Sequence, residues 1–482
     1  MKNKVFIYQK IEIAIEEQIT NGVLKFGDKL PSIRILTKEY GVSVSTVLQA
    51  YYALESKSLI EAKPRSGYYV IFSNKNILQN PEKTQPSETP SLENKADVII
   101  DLFYNIHDKE FVNFSLGAPS KELLPVAKLS KAMHETIGKL KAGGTYYDNI
   151  QGSKNLRRQI AQRTLLWGGN LQENDIIITS GCTHALSLSL MAVTKPEDTI
   201  VMESPVFFGI LQLANALGLK VIELPTDSVS GMDLQALKRV LKKQKIAAIV
   251  LISNFNNPLG SVIPDANKKE IVQIIQDYQI PLLEDDICGE MYYGENRPST
   301  CRSFDDSGLV MWVGSFSKTL AGGYRVGWVA PGKFLKEVLR LKLSLSSSSP
   351  TIPQETIANF LIKGRYDYHL RKLRNTLHGN SIKYINTIGT YFPEDTRVSK
   401  PQGGFLLWVE LNPKINTNLL FEKAKNKGIV FSPGTIFTIQ DQYKNCLRLS
   451  YALLWNIEIE NGLKRLGGLV KEELNCQYPI LS

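Results

Sequence analysis

The spacing of apolar positions divides the chain into three stretches. Over residues 1–72 it is helical. Tyr8, Ile11, Ile15 and Ile19 recur every three to four residues, so one face is apolar, and Asn21-Gly22 ends that helix. A second helix starts at Ser32 behind Pro31, turns Ile33 and Leu36 inward and breaks at Gly41. Ser43 or Ser45 caps a third, which carries Val47, Ala50, Tyr51 and Leu54. Leu59–Ala62 and Gly67–Ile71 then read as two short strands joined by Lys63-Pro64-Arg65-Ser66. From about Ser73 to Ala96 aromatic residues vanish and Asn, Lys, Gln, Pro, Ser, Thr and Glu dominate, the composition of a flexible linker. From about residue 97, apolar strands alternate with amphipathic helices: Asp175–Thr179, Thr199–Met202, Ala247–Ile252, Pro281–Glu284 and Val310–Gly314. That alternation predicts an α/β body around a mostly parallel sheet. After about residue 370, Gly404–Glu410 and Cys446–Tyr451 among helices predict a smaller α+β subdomain reaching about residue 475.

Bulk properties add little to this picture. The 482 residues are too many for one ordinary core, and 43% hydrophobic with 22% charged residues is globular. The net charge of +10 suits a nucleic acid or an anionic cofactor and proves neither. Five scattered cysteines without CxxC spacing read as reduced thiols of a cytoplasmic protein. Five histidines without HExxH or Cys/His clustering give no metal site. No apolar core of a signal peptide follows Lys2, Lys4 and Lys10, and the longest apolar run, near Ile246–Ile252, is too short to span a membrane and reads as a buried strand.

Helix, turn, helix and a two-stranded wing is the layout of a nucleic-acid reader. Ser43, Ser45 and Thr46 open the third helix, where short hydroxyls sit beside free backbone N–H groups and can meet phosphate. Gln49 lies one turn on, within reach of a base edge, and Arg34 and Lys38 flank the turn. Arg65 stands at the wing tip, where a guanidinium can enter a minor groove. Charge alone is a weak signal, with ten Lys/Arg against seven Asp/Glu over residues 1–72, and periodicity alone fits a packing bundle equally well. The strings Gly27–Arg34 (GDKLPSIR), Val42–Val47 (VSVSTV) and Pro64–Val70 (PRSGYYV), in that order and spacing, resemble the GntR family of winged-helix regulators. By that resemblance Arg34, Ser43, Ser45, Thr46 and Arg65 contact DNA.

In the body, Ser315-Phe316-Ser317-Lys318 is followed seven residues later by Arg325. A lysine that joins an aldehyde cofactor, with hydroxyls and an arginine for its phosphate, fits pyridoxal phosphate (PLP). Asp285 closes a strand and can pair with the pyridine nitrogen; Asn257 in Asn256-Asn257-Pro258 can reach the ring's 3-oxygen. Gly181-Cys182-Thr183 links a strand to the apolar helix Ala185–Val193 and offers N–H groups to a phosphate, and Phe207 can stack on the ring. Each residue taken alone also reads as a turn, a cap or a core position. Together they resemble fold-type I aminotransferases over about residues 110–470, and the fusion resembles the MocR subfamily of regulators, to which GSFSKTLAGGYRVGW and YYDNIQGSKNLRRQIA are both close.

The resemblance makes Lys318 the residue that joins the cofactor and Arg325 a phosphate ligand. Arg448 becomes the clamp on an effector or substrate carboxylate, and Tyr147, or its neighbour Tyr146, a phosphate contact across a homodimer interface. It also implies that each head lies over the partner subunit. One departure stands out: the tyrosine usual two or three residues past the pyridine-pairing Asp is replaced by Ile287 and Cys288. A second is Gly322, where proline is common. The expected function is a regulator that binds operator DNA and senses PLP, an amine or an amino acid; the alternative is an aminotransferase carrying a DNA-binding appendage.

Overall fold

The computed structural model of the chain describes residues 7–56, 59–63, 66–71, 78–83, 85–91, 99–100, 111–294 and 296–476. In the head, α1 (Ile7–Thr20) buries Ile11, Ile15 and Ile19, the stripe that the spacing predicts. Ser32 starts α2 (Ile33–Tyr40) by accepting from Ile35 N at 3.4 Å, and Gly41 stops it in the left-handed region at φ 62°. Ser43, not Ser45, opens α3 (Val44–Ser56): its Oγ accepts from Thr46 N at 3.2 Å. Val47, Ala50, Tyr51 and Leu54 turn inward, and Tyr51 Oη donates to the Pro31 carbonyl at 2.5 Å, tying α3 to the start of α2. The wing is the antiparallel pair β1 (Ile60–Lys63) and β2 (Gly67–Val70), with Ile60 opposite Val70. Arg65, expected at its tip, lies outside the described residues.

The body is built on an eight-stranded sheet. In spatial order its strands are Ile177–Thr179 (β4), Gly327–Ala330 (β11), Val310–Ser315 (β10), Leu282–Asp285 (β9), Ala248–Leu251 (β8), Thr199–Ser204 (β5), Lys220–Asp227 (β6) and Gly231–Met232 (β7). Neighbours from β10 to β6 are parallel; β11 runs against both of its neighbours, and β7 against β6. The central strands are buried on both faces, which explains why they read as unbroken apolar runs rather than alternations. Helix α4 (Cys182–Val193) covers one face and α5 (Leu234–Lys243) the other. Strands β6 and β11 were not expected from the sequence.

The smaller unit is an antiparallel sheet of Arg397–Val398 (β12), Leu406–Glu410 (β13), Cys446–Ser450 (β16) and Ser432–Pro433 (β15), joined by the parallel bridge of Val112–Asn113 (β3) to Ile429–Val430 (β14). It packs on the long helix α6 (Arg365–Tyr391) and on α7 (Ile457–Cys476). Helix α6 spans two cores. Tyr366 and Leu370 belong to the core beneath β10 and β11, and Leu373, Leu377, Tyr384 and Ile388 to that of the smaller unit.

Composition pointed to a flexible linker, yet its described part is tied down on the body. Val398 N donates to the Gln79 carbonyl at 2.9 Å, Glu82 N to Glu410 at 2.7 Å, and Ser87 exchanges hydrogen bonds with Gln440. Lys83 pairs with Asp233, Glu88 with Arg239 and Lys243 of α5, and Ser91 bridges the outer strand β6 at Val221. Polar side chains that cannot build a core can still satisfy backbone groups along a surface. The head lies against α6 of its own chain: Lys383 pairs with Glu61. Among the described residues no helix is long and apolar enough to cross a membrane, and no cluster of three potential metal ligands occurs.

Candidate cofactor and effector site

One cavity of about 170 Å³ lies at the carboxyl ends of the parallel strands, where the strand order of an open α/β sheet places ligand sites. Strand β9 ends in Asp285, and Lys318 stands in the turn after β10. Phe207 caps the helix Phe208–Ala216 after β5, Asn257 follows β8, and Cys182 and Thr183 open α4 after β4. All of these line the cavity, with Ser317, Arg325 and Arg448. Ser315 does not line it. It is buried behind, donating from Oγ to the Val326 carbonyl (2.8 Å) and accepting from Ser317 N (3.0 Å), so it shapes the turn that carries Ser317 and Lys318. Tyr146 and Tyr147 stay out of the cavity and are 72% and 91% exposed.

At the mouth of α4 the backbone is specialised. Gly181 has φ 96°, and a Cβ there would lie 2.4 Å from Arg325 Nη2. Arg325 itself sits in the left-handed region at φ 51° and donates from Nη2 to the Ser180 carbonyl at 3.2 Å. The guanidinium and the free N–H groups of the helix start therefore meet at one spot, an arrangement suited to a phosphate.

Asp285 is buried, and its Oδ1 accepts from Ile287 N at 3.0 Å and from the Cys182 thiol at 3.3 Å. Burial outweighs these bonds and pushes its pKa up to about 6. Burial lowers the pKa of the Lys318 amine, and Arg448 pushes in the same direction. Cys288 lines the cavity where the resemblance leads one to expect a tyrosine, and its thiol is pushed up to about 12, again by burial. The nearest tyrosines along the chain, Tyr292 and Tyr293, do not line the cavity, and the Tyr293 hydroxyl is committed to Tyr451 Oη (2.7 Å) and the Gly404 carbonyl (2.8 Å).

Arg448, on β16, is 2% exposed, and burial lowers its pKa to about 9. Its Nη1 donates to Asn257 Oδ1 (3.0 Å) and its Nη2 to the Ser115 carbonyl (2.7 Å) and Ser432 Oγ (3.1 Å). Its Nε is buried without a partner among the described residues. A buried guanidinium with a spare donor and no carboxylate against it is prepared for an anion. Ser115, Gly117, Ser432 and the apolar wall of Ile252, Phe255, Phe405 and Leu406 escaped the sequence reading. They arrive from loops and strands far apart in the chain and carry no local motif.

In the head, Arg34, Ser43, Ser45 and Gln49 are exposed and Thr46 is half-buried. Ser43 Oγ lies 2.7 Å from Ser45 Oγ and 2.9 Å from Thr46 Oγ1, so the three hydroxyls form one patch at the start of α3.

Two families match the chain: "Bacterial regulatory proteins, gntR family" over residues 7–70 and "Aminotransferase class I and II" over residues 109–466. The uncharacterised HTH-type transcriptional regulator YjiR of Escherichia coli K12 is 37% identical over 96% of this chain and 98% of its own length. YdcR of the same strain, also an uncharacterised HTH-type transcriptional regulator, is 33% identical over 97% and 99%. Among solved structures, the α-aminoadipate aminotransferase LysN of Thermus thermophilus, complexed with N-(5'-phosphopyridoxyl)-L-leucine, is 26% identical with a TM-score of 0.73, covering 79% of this chain and 96% of that one. The kynurenine aminotransferase of Pyrococcus horikoshii, in complex with PMP, is 27% identical with a TM-score of 0.75, covering 80% and 96%. The body therefore has the fold-type I aminotransferase architecture, and the chain belongs to the HTH-type transcriptional regulators in which a gntR-type head is fused to an aminotransferase class I and II domain.

Proposed function

We propose that this protein is a cytoplasmic, homodimeric regulator of the MocR kind that binds operator DNA through its head and holds PLP in its body, where it senses an amine, an amino acid or the cofactor itself. The observation that carries this reading is the convergence of Lys318, Asp285, Asn257, Arg325 and Arg448 on one cavity in a chain that begins with a winged helix. The residues fit PLP: the Gly181–Arg325 cradle suits its phosphate, buried Asp285 its ring nitrogen, and Arg448 Nε is left over for the carboxylate of a second ligand.

Lys318 would join the cofactor covalently and Asn257 would bond its 3-oxygen. Phe207 would cover the ring. Cys182 and Thr183 backbone N–H groups, Ser317 and Arg325 would take the phosphate, with Ser315 behind and Tyr147 of a second copy from across the interface. Bound there, PLP supplies an electron sink and a visible chromophore. The chain's own residues do the rest. Burial leaves the Lys318 amine more readily neutral, and so nucleophilic, than a solvated lysine. Asp285 is half-protonated near pH 6 in the bare site, and a cationic group held beside it would favour the carboxylate. In the head, the α3 hydroxyl patch, Arg34 and Arg65 would take phosphates and the groove, and Gln49 a base edge.

Retention of Lys318, Asp285, Asn257 and Arg448 together also supports slow transamination, the second reading. Cys288 in the place of a tyrosine hydroxyl speaks against a high turnover. The experiment is an absorbance spectrum with added PLP, on the natural protein and on Lys318→Ala. A band near the visible edge, lost in the variant, is the expected outcome; no band in either protein would overturn cofactor binding.

A further inference from the structure

Asn257 follows β8 and Asp285 ends the neighbouring strand β9, so each reaches the cavity from its own segment of chain. Behind them lies a second set of side chains, none of which lines the cavity: Asn254, Lys268, Glu284, Asp286 and Arg297. All five are at most 6% exposed. The two residues flanking Asp285 hold the start of the segment that carries Asn257. Glu284 accepts from Ser253 Oγ, from Cys301 N at 2.7 Å and from Arg302 N at 3.0 Å. Asp286 accepts from Asn254 Nδ2 at 3.1 Å, from Trp312 Nε1 at 2.9 Å and from Arg297 Nη2. The segment closes on itself: Ile263 N donates to the Ser253 carbonyl at 2.9 Å and Asn256 N to the Ser261 carbonyl at 3.0 Å, so Asn257 moves with Ser253 and Asn254.

Lys268, from the helix Asp265–Tyr278, stands under this joint. Its Nζ donates to Asn254 Oδ1 and to the Ser299 carbonyl, both at 2.8 Å, and Asn254 Nδ2 donates to the same carbonyl at 2.9 Å. An ammonium only donates and a carboxylate only accepts. With Lys268 on one side and Asp286 on the other, the Asn254 amide therefore has a single orientation, and both of its ends are used. The two acceptors of Lys268 are neutral. Burial lowers the pKa of its amine, and the nearby charges of Glu284, Asp265 and Asp286 oppose that shift. A buried charge cluster adds little net stability beside an apolar filling, yet loss of one member leaves its partners unpaired. What this cluster supplies is geometry: it ties the turn after β9 to the turn after β8.

We propose that Lys268 and Asn254 are positioning residues of the cofactor site, and that the chain Lys268–Asn254–Asp286 sets the spacing between Asn257 and Asp285. This role rests on the cofactor reading above and adds to it residues that touch no ligand. A rigid pyridine ring presents its nitrogen and its 3-oxygen at a fixed separation. A slip between the two segments therefore loses one contact or the other, and a bonded frame behind both side chains prevents the slip.

The test is an absorbance titration of the full chain with PLP, followed by a pH titration of the band. Five proteins are compared: the natural chain, Asn254→Ala, Lys268→Met, the double variant and Ile275→Ala. Ile275 is buried in the same helix as Lys268 but belongs to an apolar core. Ile275→Ala should melt at a lower temperature and keep the natural PLP affinity and band midpoint. Asn254→Ala and Lys268→Met should each raise the PLP dissociation constant about tenfold, the worth of one charged hydrogen bond. Both should also move the band's pH midpoint upward, since a donor at the 3-oxygen and a proton at the ring nitrogen ease proton loss from Lys318 Nζ. The double variant should be no worse than the worse single one, as members of one bonded chain are not additive. Natural affinity and midpoint in Asn254→Ala, which decides the matter if Lys268→Met does not fold, overturn the proposal and leave the cofactor reading standing. So does a double variant whose losses multiply, or an Ile275→Ala protein that loses as much PLP affinity for the same drop in melting temperature. A natural chain without a band overturns the cofactor reading and the proposal with it.

Discussion

Three residues at the cavity carry predictions of their own. Asp285 is an acid whose folded pKa, about 6, is above its ordinary value of 3.8. The folded state therefore holds the proton more tightly than the unfolded chain, and PLP-free stability falls as pH rises from about 4 to 6. Asp285→Asn should make the PLP-free protein more stable at pH 7, by roughly 3 kcal/mol at most at 1.36 kcal/mol per unit, and should weaken PLP binding. Thermal melts at pH 4 and 7, with and without PLP, check both signs. Arg448→Gln should leave the PLP band in place but raise by more than about tenfold the concentration of a carboxylate-bearing amine that perturbs it, since a charged hydrogen-bonded pair is lost; an unchanged concentration would remove Arg448 from ligand binding. Cys288 is buried and its thiol stays protonated at neutral pH. A thiol donates weakly, so the pH midpoint of the band should lie higher than in relatives with a tyrosine at this place, as a spectral titration would reveal. The residue types of the site were legible because Lys, Asp, Asn and Arg at these spacings serve one chemistry. Ser115 and Ser432, which hold Arg448 in place, were not, because no local pattern ties them to it.

Among the elements, those with a start signal and a stop signal were the readable ones. α2 runs from its Ser32 cap to Gly41, and α1 follows its isoleucine stripe. β11 escaped because Gly327–Ala330 is four residues long and fully buried, without alternation to mark it. Gly181 shows how an element junction becomes a site, since only glycine accommodates both its φ of 96° and the approach of Arg325. Gly181→Ala should displace Arg325 and raise the PLP dissociation constant more than tenfold by about the loss of one charged hydrogen bond, measured by absorbance titration. Gly379, inside α6, has open space where a Cβ would stand. Gly379→Ala should stabilise the chain by about 0.5–1 kcal/mol through helix propensity alone, read as a shift in denaturation midpoint.

For the molecule as a whole, the docked linker changes how the parts are connected. It runs from the smaller unit at Arg397 and Glu410 to α5 and the sheet edge at Val221, so both units of the body hold the strand of chain that leads to the head. Its ion pairs are partly exposed and individually weak. Glu88→Lys should therefore leave the melting temperature within about 2 °C, an effect below roughly 1 kcal/mol, while amide exchange of residues 85–91 accelerates. The amino-acid sequence by itself determined the succession of a winged helix, a polar connector and an α/β body, and the identity of the groups at the cavity. Those follow from periodicity, capping and side-chain chemistry, which are local properties of the chain. The tertiary structure alone decided that strand ends far apart in sequence share one cavity, that the polar connector lies along the body, and that α6 spans two cores. Such neighbourhoods arise from strand order and helix packing, to which positions hundreds of residues apart contribute without any pattern that joins them.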